Sequence, residues 1–267
     1  MKKSRSNAAI IAILTIYLVF PLVLTFLYSI FRQWKDVLPS GLTLGYYAEL
    51  FTDSGFLLPL LNTLLISIVP VALCTVVLLL AMYVAIAHLP WLDRYLQILC
   101  TIPYAIQGII LAIGVLSLYS GLPEPFSNRI VMLSFTYCIV VLPYMYRGIK
   151  NSLEAIHVQR LLEAAQMLGA SRFRAFFAVI VPNILSGITV SVMLSVSLLF
   201  GDFVIINILA GSYLQSAQIY LYRLLSESGQ RCSAVVCVVF ALTLLLTNGA
   251  LYLVGRASRR RQTPKEI

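Results

Sequence analysis

Charge is nearly absent from six long intervals of the chain, about 8–31, 57–87, 95–120, 130–147, 183–210 and 232–255. A helix rises about 1.5 Å per residue, so roughly 20 apolar residues cross a hydrocarbon core about 30 Å thick. Backbone groups in lipid must find their hydrogen bonds within the protein, which makes α-helices the default for runs of this length. The reading is an all-α membrane protein, one domain over residues 1–267, with six transmembrane helices. Its 60% hydrophobic and 11% charged residues and mean hydropathy of +0.94 exclude an ordinary soluble domain. Ala8 to Phe31 is too long for the apolar part of a signal peptide and no small-residue cleavage site follows it, so it is expected to remain as the first span. Pro70 is expected to kink the second.

The net charge of +9 is scattered over short connections and a tail, and no basic face is long enough to follow phosphates, so nucleic acid is not expected as a partner. It reads instead as topology. An even number of spans puts both termini on one side, and with the termini inside, fourteen Lys and Arg fall on the cytoplasmic segments against five outside. The positive-inside rule therefore predicts cytoplasmic termini in a multi-pass membrane protein. The outer segment 42–51, with Tyr46, Tyr47 and Phe51, suits a short interfacial element. Cys74, Cys100, Cys138, Cys232 and Cys237 lie in or beside apolar runs, without metal-type spacing to His88 or His157, and read as small core residues.

The longest inside connection follows Arg147. Ser152 is expected to cap a helix through Leu168, Gly169 to supply a left-handed turn, and Ser171 to cap a second helix, in which Phe173, Phe176, Phe177 and Ile180 make one apolar face. Pro182 marks the bend into the fifth span. Two helices meeting at a glycine form an elbow over about 152–182. Ala164 and Ala165 let a partner approach the backbone and Glu163 offers it a carboxylate; the plainer alternative is a helical hairpin whose alanines serve helix propensity.

Glu163-Ala164-Ala165, three residues, Gly169, nine residues, Val179, one residue, Val181 and Pro182 resemble the cytoplasmic signature of permease subunits of bacterial binding-protein-dependent ABC importers. Val179 and Val181 stand where isoleucine and leucine are commoner. The resemblance implies a type I importer permease whose coupling helix, here Glu163, Ala164, Ala165, Leu168 and Gly169, plugs into an ATPase. It implies a place in the bacterial inner membrane, two ATP-binding subunits that carry ATP and Mg, a second permease of different sequence, and an extracytoplasmic solute-binding protein; no cofactor is expected on this chain. The absence of G-x-x-x-x-G-K-[ST] agrees with ATP held elsewhere.

Asp202 is the sole acidic residue of the fifth run. A carboxylate at membrane depth is costly, so a place in the substrate pathway, with Asn207 nearby, is one reading. The other is an interfacial carboxylate bonded to Asn207 or to a neighbouring helix. The stretch through Gly211 looks like the polyamine-importer branch, although Gly201 stands where that branch often has a second acidic residue. Importers of 2-aminoethylphosphonate and of ferric iron share the permease type and stay open. The polar and aromatic segment 211–231 suits docking of a binding protein or a solvated loop, and Arg256 to Arg261 suit anchoring at an anionic inner surface. An intramembrane enzyme would need a catalytic group, yet G-x-S-x-G and H-E-x-x-H are absent. A scaffold without transport leaves the elbow motif without purpose.

Overall fold

The computed structural model describes residues 2–34, 39–106 and 108–262. Lys35 and Lys265, counted in the charge asymmetry, lie outside the described residues. The chain opens with helix α1 (Lys2–Ile30), a two-stranded antiparallel ribbon of β1 (Phe31–Gln33) and β2 (Ser40–Leu42), and a short helix α2 (Gly45–Thr52). Then come α3 (Ser54–Ala87), α4 (Pro90–Thr101), a 3-10 turn (Ile102–Ala105), α5 (Gly108–Tyr119), α6 (Arg129–Ala155) and α7 (Val158–Met167). Beyond Gly169 the chain forms α8 (Arg172–Ala175), a π-helical turn (Phe176–Ile180), α9 (Val181–Asn183), α10 (Leu185–Phe200), α11 (Val204–Ala210), α12 (Ala217–Leu224) and α13 (Gly229–Gln262).

Among the described residues, four helices are long and apolar enough to cross a membrane alone, over Ile10–Ile30, Ser54–Ala87, Arg129–Ala155 and Gly229–Gly249; with each of two bent pairs taken as one span the number is six. The third apolar run is interrupted by the 3-10 turn at Pro103, where the ring removes a backbone donor. The fifth is bent by 69° between Asn183 and Leu185 and interrupted again at Gly201 to Phe203. The second run, by contrast, continues as one helix through Pro70.

The chain divides into two compact units. The first holds residues 1–60 and 217–242. Here α1 exposes its apolar side chains from Ile10 through Leu24, while its end is fastened: the fully buried Ser29 hydroxyl lies 2.6 Å from the Tyr47 hydroxyl of α2. Asp53 accepts from the Gly55 amide at 2.8 Å and from Tyr220 of α12 at 3.1 Å, and Arg231 pairs with Glu49 at 2.7 Å. Burial, then the bond to Asp53, raise the Tyr220 phenol above its usual range.

The second unit, residues 61–216 and 243–267, is built around α6. Leu133, Tyr137, Val141, Met145 and Ile149 recur every fourth residue on one face and are at most 1% exposed. α10 packs along α6 through small residues set in register. A Cβ on Gly148 would lie 1.9 Å from the Ser191 hydroxyl oxygen, and one on Gly187 would lie 1.8 Å from the Ser152 hydroxyl oxygen and 2.7 Å from the Ser152 Cβ. Each serine turns its hydroxyl back to the glycine carbonyl of its own helix, Ser152 to Gly148 at 2.8 Å and Ser191 to Gly187 at 2.9 Å. In lipid, where no hydrophobic effect drives helices together, such close backbone approach supplies the contact. Ser152 is therefore an interior residue of α6 and not a helix cap, a correction to the sequence reading: its hydroxyl faces Gly187 and leaves the first-turn amides of α7 alone. Cys74 and Cys100 are buried in this unit.

Candidate functional site

The elbow begins where α6 stops. His157 takes a left-handed conformation, φ +49° and ψ +57°, and starts α7. The amphipathic α7 turns Leu162 and Ala165 inward, 8% and 9% exposed, against the π-helical turn, while Glu163 and Ala164 face outward. Of the two alanines, then, only Ala164 is available to a partner. The helix ends in two reciprocal bonds around Gly169 at φ +83°: the Ala170 amide donates to the Ala165 carbonyl at 3.1 Å and the Gly169 amide to the Gln166 carbonyl at 2.9 Å. This closure occupies carbonyls that a helix end otherwise leaves bare. It also pushes Met167 and Leu168 into the open, 89% and 90% exposed. Arg160, Glu163, Ala164, Gln166 and Met167 line a shallow groove on the outer face.

The second limb is tied back into the unit. Ser171 accepts the Arg174 amide at 3.3 Å and starts α8. The Arg172 guanidinium donates to the Ala87 carbonyl at the end of α3, where the negative end of the helix dipole favours a cation. Tyr83 of α3 contacts the rings of Phe173, Phe176 and Phe177 at 5.4 to 6.0 Å between centroids, and His88 at 5.5 Å. Of the predicted apolar face, Phe176 and Ile180 are fully buried and Phe173 is half exposed. The ion pair of Asp93 on α4 with Lys150 on α6, 2.8 Å, with the Tyr146 hydroxyl donating to Asp93 at 3.2 Å, braces the neighbouring connection. The second limb is thus fastened to α3, and the first limb joins α6 through the left-handed residue His157.

Asp202 sits in the break between α10 and α11. Its Oδ2 accepts the Tyr137 hydroxyl at 3.0 Å and the Ile205 and Ile206 amides at 3.1 and 3.3 Å, so it caps α11 from the preceding turn. Among the described residues it has no Lys or Arg partner. It lines a cavity of about 270 Å³ with Tyr104, Tyr144 and Pro103. The Tyr104 and Tyr144 rings stand edge to face at 5.4 Å, and the Arg147 guanidinium lies 5.2 Å from the Tyr104 centroid. Asn207 is exposed on α11, one turn beyond, and is not among the groups bonded to the carboxylate. A carboxylate bonded to neutral donors, beside two aromatic rings, can receive a cation. Sequence reasoning missed Tyr104, Tyr137 and Tyr144, which carry no local signal linking them to Asp202.

Comparison with known proteins adds a family and a fold. Residues 77–261 match the family described as "Binding-protein-dependent transport system inner membrane component". A protein of Sinorhizobium fredii named "Probable ABC transporter permease protein y4fN" is 31% identical over 142 residues, 51% of this chain and only 25% of that longer protein. PhnV of Salmonella paratyphi A, named for a 2-aminoethylphosphonate transport system permease, is 22% identical over 75% of this chain and 76% of its own. The molybdenum transport system permease ModB of Haemophilus influenzae is 31% identical over 53% of this chain and 61% of its own. Among solved structures, a bacterial ABC transporter that imports the acidic polysaccharide alginate superposes with a TM-score of 0.63 at 18% identity, covering 98% of both chains. That likeness carries the fold.

Proposed function

Because this chain belongs to the family of binding-protein-dependent transport system inner membrane components, we propose that it is a permease subunit of an ABC importer and that the elbow is its socket piece for an ATPase. The observation that carries this reading is the helix end at Gly169, which holds two bulky apolar side chains, Met167 and Leu168, almost wholly in the open beside the outward Glu163 and Ala164. A hydrophobic tip on a fastened hairpin fits a groove on a partner. ATP and Mg act on two such partners. Their closure moves the elbow, and the spans open to one side and then the other. A second permease of different sequence completes the passage, and an extracytoplasmic binding protein delivers the cargo. Both termini lie in the cytoplasm of a bacterium, on the side that holds most of the Lys and Arg.

For the cargo, the Asp202 cavity favours a small solute with a primary ammonium group, a polyamine first. A carboxylate with no Lys or Arg partner among the described residues gives a passing ammonium a counter-charge, and Tyr144 offers it an aromatic ring, while the Arg147 guanidinium already stands by Tyr104. A second reading, 2-aminoethylphosphonate, is favoured by the likeness to PhnV and carries the same ammonium. Co-purification from the native membrane, followed by binding assays on the recovered solute-binding protein, tests both levels. An ATPase, a second permease and a binding protein that retains a polyamine support the whole reading. An ATPase with a binding protein selective for an oxyanion keeps the transport role and removes the amine, and the absence of any ATPase under mild extraction removes the role of the elbow.

A further inference from the structure

The joint at His157 borders a cavity of about 400 Å³ that shares only Arg160 with the outer groove of the elbow and is otherwise unused by the transport reading. The ends of α3 and α6, the start of α4 and the first turn of α7 border it, leaving it open on one side, and Met82, Ile86 and Leu153 give it an apolar lining. Its charges come in both signs and from different helices. Asp93 belongs to α4, Lys150 and Glu154 lie one turn apart on α6, and Arg160 belongs to α7. Lys150 is engaged by Asp93 at 2.8 Å and by the Tyr146 hydroxyl at 3.1 Å. Glu154 and Arg160 form no ion pair among the described residues. The volume lies near the small end of the roughly 300–1,000 Å³ typical of ligand sites.

We propose that this cavity binds a small zwitterion in which an ammonium group and a phosphate or phosphonate group stand a few bonds apart. A ligand with only negative charge faces Asp93 and Glu154, and one with only positive charge faces Lys150 and Arg160. A zwitterion satisfies both walls, with its ammonium on Glu154 and its anionic end on the Arg160 guanidinium, whose planar fork suits a phosph(on)ate. The proposal rests on the reading above that this side of the chain faces the cytoplasm. Spanning Glu154 on α6 and Arg160 on α7, the ligand bridges the joint at His157 and favours one angle of the elbow. It would thereby slow the coupled cycle when the compound accumulates inside. The same chemistry is offered by a free metabolite and by the headgroup of phosphatidylethanolamine at the inner surface.

The two sources separate in one experiment on the assembled transporter. In nanodiscs of phosphatidylglycerol alone, O-phosphoethanolamine and 2-aminoethylphosphonate are titrated by calorimetry, with ethanolamine and inorganic phosphate as single-charge controls. In discs that contain phosphatidylethanolamine, retained lipid is counted by native mass spectrometry. Saturable binding of a free zwitterion, tighter than either control and weakened about tenfold or more by Glu154→Gln and by Arg160→Gln, is the expected result. Retention of phosphatidylethanolamine that both substitutions release supports the site with the lipid as its occupant. Titration in an Asp202→Asn background keeps the cargo passage out of the reading, and since no uptake is measured, a wrong cargo assignment does not alter the outcome. Absence of binding in both arms, or binding untouched by both substitutions, overturns the proposal; wild-type binding no tighter than the single-charge controls does the same without recourse to a variant.

Discussion

Replacing Asp202 with alanine strands the Ile205 and Ile206 amides and the Tyr137 hydroxyl, whereas asparagine keeps an acceptor in place. The alanine variant is expected to lose stability, by about 1–3 kcal/mol for buried donors left unsatisfied, and the asparagine variant much less. Thermal unfolding of the purified chain reads that difference. If the cargo carries an ammonium, Asp202→Asn also lowers uptake of amines selectively, and an equal loss for unrelated solutes would assign the carboxylate to structure alone. Gly169 poses a different test, because no atom lies within 4 Å of a Cβ built there and only the backbone objects. A left-handed residue with a branched side chain costs about 1–2 kcal/mol, so Gly169→Val is expected to leave insertion intact and uncouple ATP hydrolysis from uptake. Unchanged uptake in vesicles would refute the socket role. Gly169 and Ser171 were legible in the sequence because glycine and serine mark a turn and a cap by their own chemistry. His157 was not: a histidine at φ +49° is set by the packing around it, and nothing in its type announces the joint. Nor could Tyr137 be matched to Asp202, 65 positions away.

Between elements, the contact of α6 with α10 is the most sharply defined. Gly187→Ala would bring two Cβ atoms to 2.7 Å, which no rotation of the Ser152 hydroxyl relieves. The expected loss is about 1–3 kcal/mol, typical of overpacking, and Ser152→Gly in the same chain should recover much of it. Thermal stability of the two single variants and the double variant decides; additive effects would mean the helices do not meet as described. The spacings Gly148-x-x-x-Ser152 and Gly187-x-x-x-Ser191 were present in the sequence, but pairing them requires knowing which helices are neighbours. The fifth apolar run shows the complementary limit. Its hydropathy reads as one span; Pro182 marks the bend that falls at Ile184, whereas the break at Gly201 to Phe203 goes with the Asp202 cap, which hydropathy cannot register.

For the whole molecule, six apolar runs and the asymmetry of basic residues carried most of what can be known without coordinates. A reporter fused to the carboxyl terminus is expected to stay inside the cell, and its appearance outside would invert every assignment of side. Leu168→Asp should leave folding unchanged, since the side chain is 90% exposed, yet weaken recovery of the ATPase with the permease. Retained recovery would move the docking surface elsewhere. The long exposed flank of α1 has a further consequence, in the history of the sequence. From Ile10 through Leu24 these side chains meet no tight packing within their own chain, so within it a substitution is filtered by solubility in hydrocarbon and not by shape. The stripe of α6 from Leu133 to Ile149 has no such latitude. Should α1 nonetheless change as slowly as α6 among descendants of this chain, the excess constraint would be the imprint of a second polypeptide resting on it, and the positions that resist drift would trace its outline.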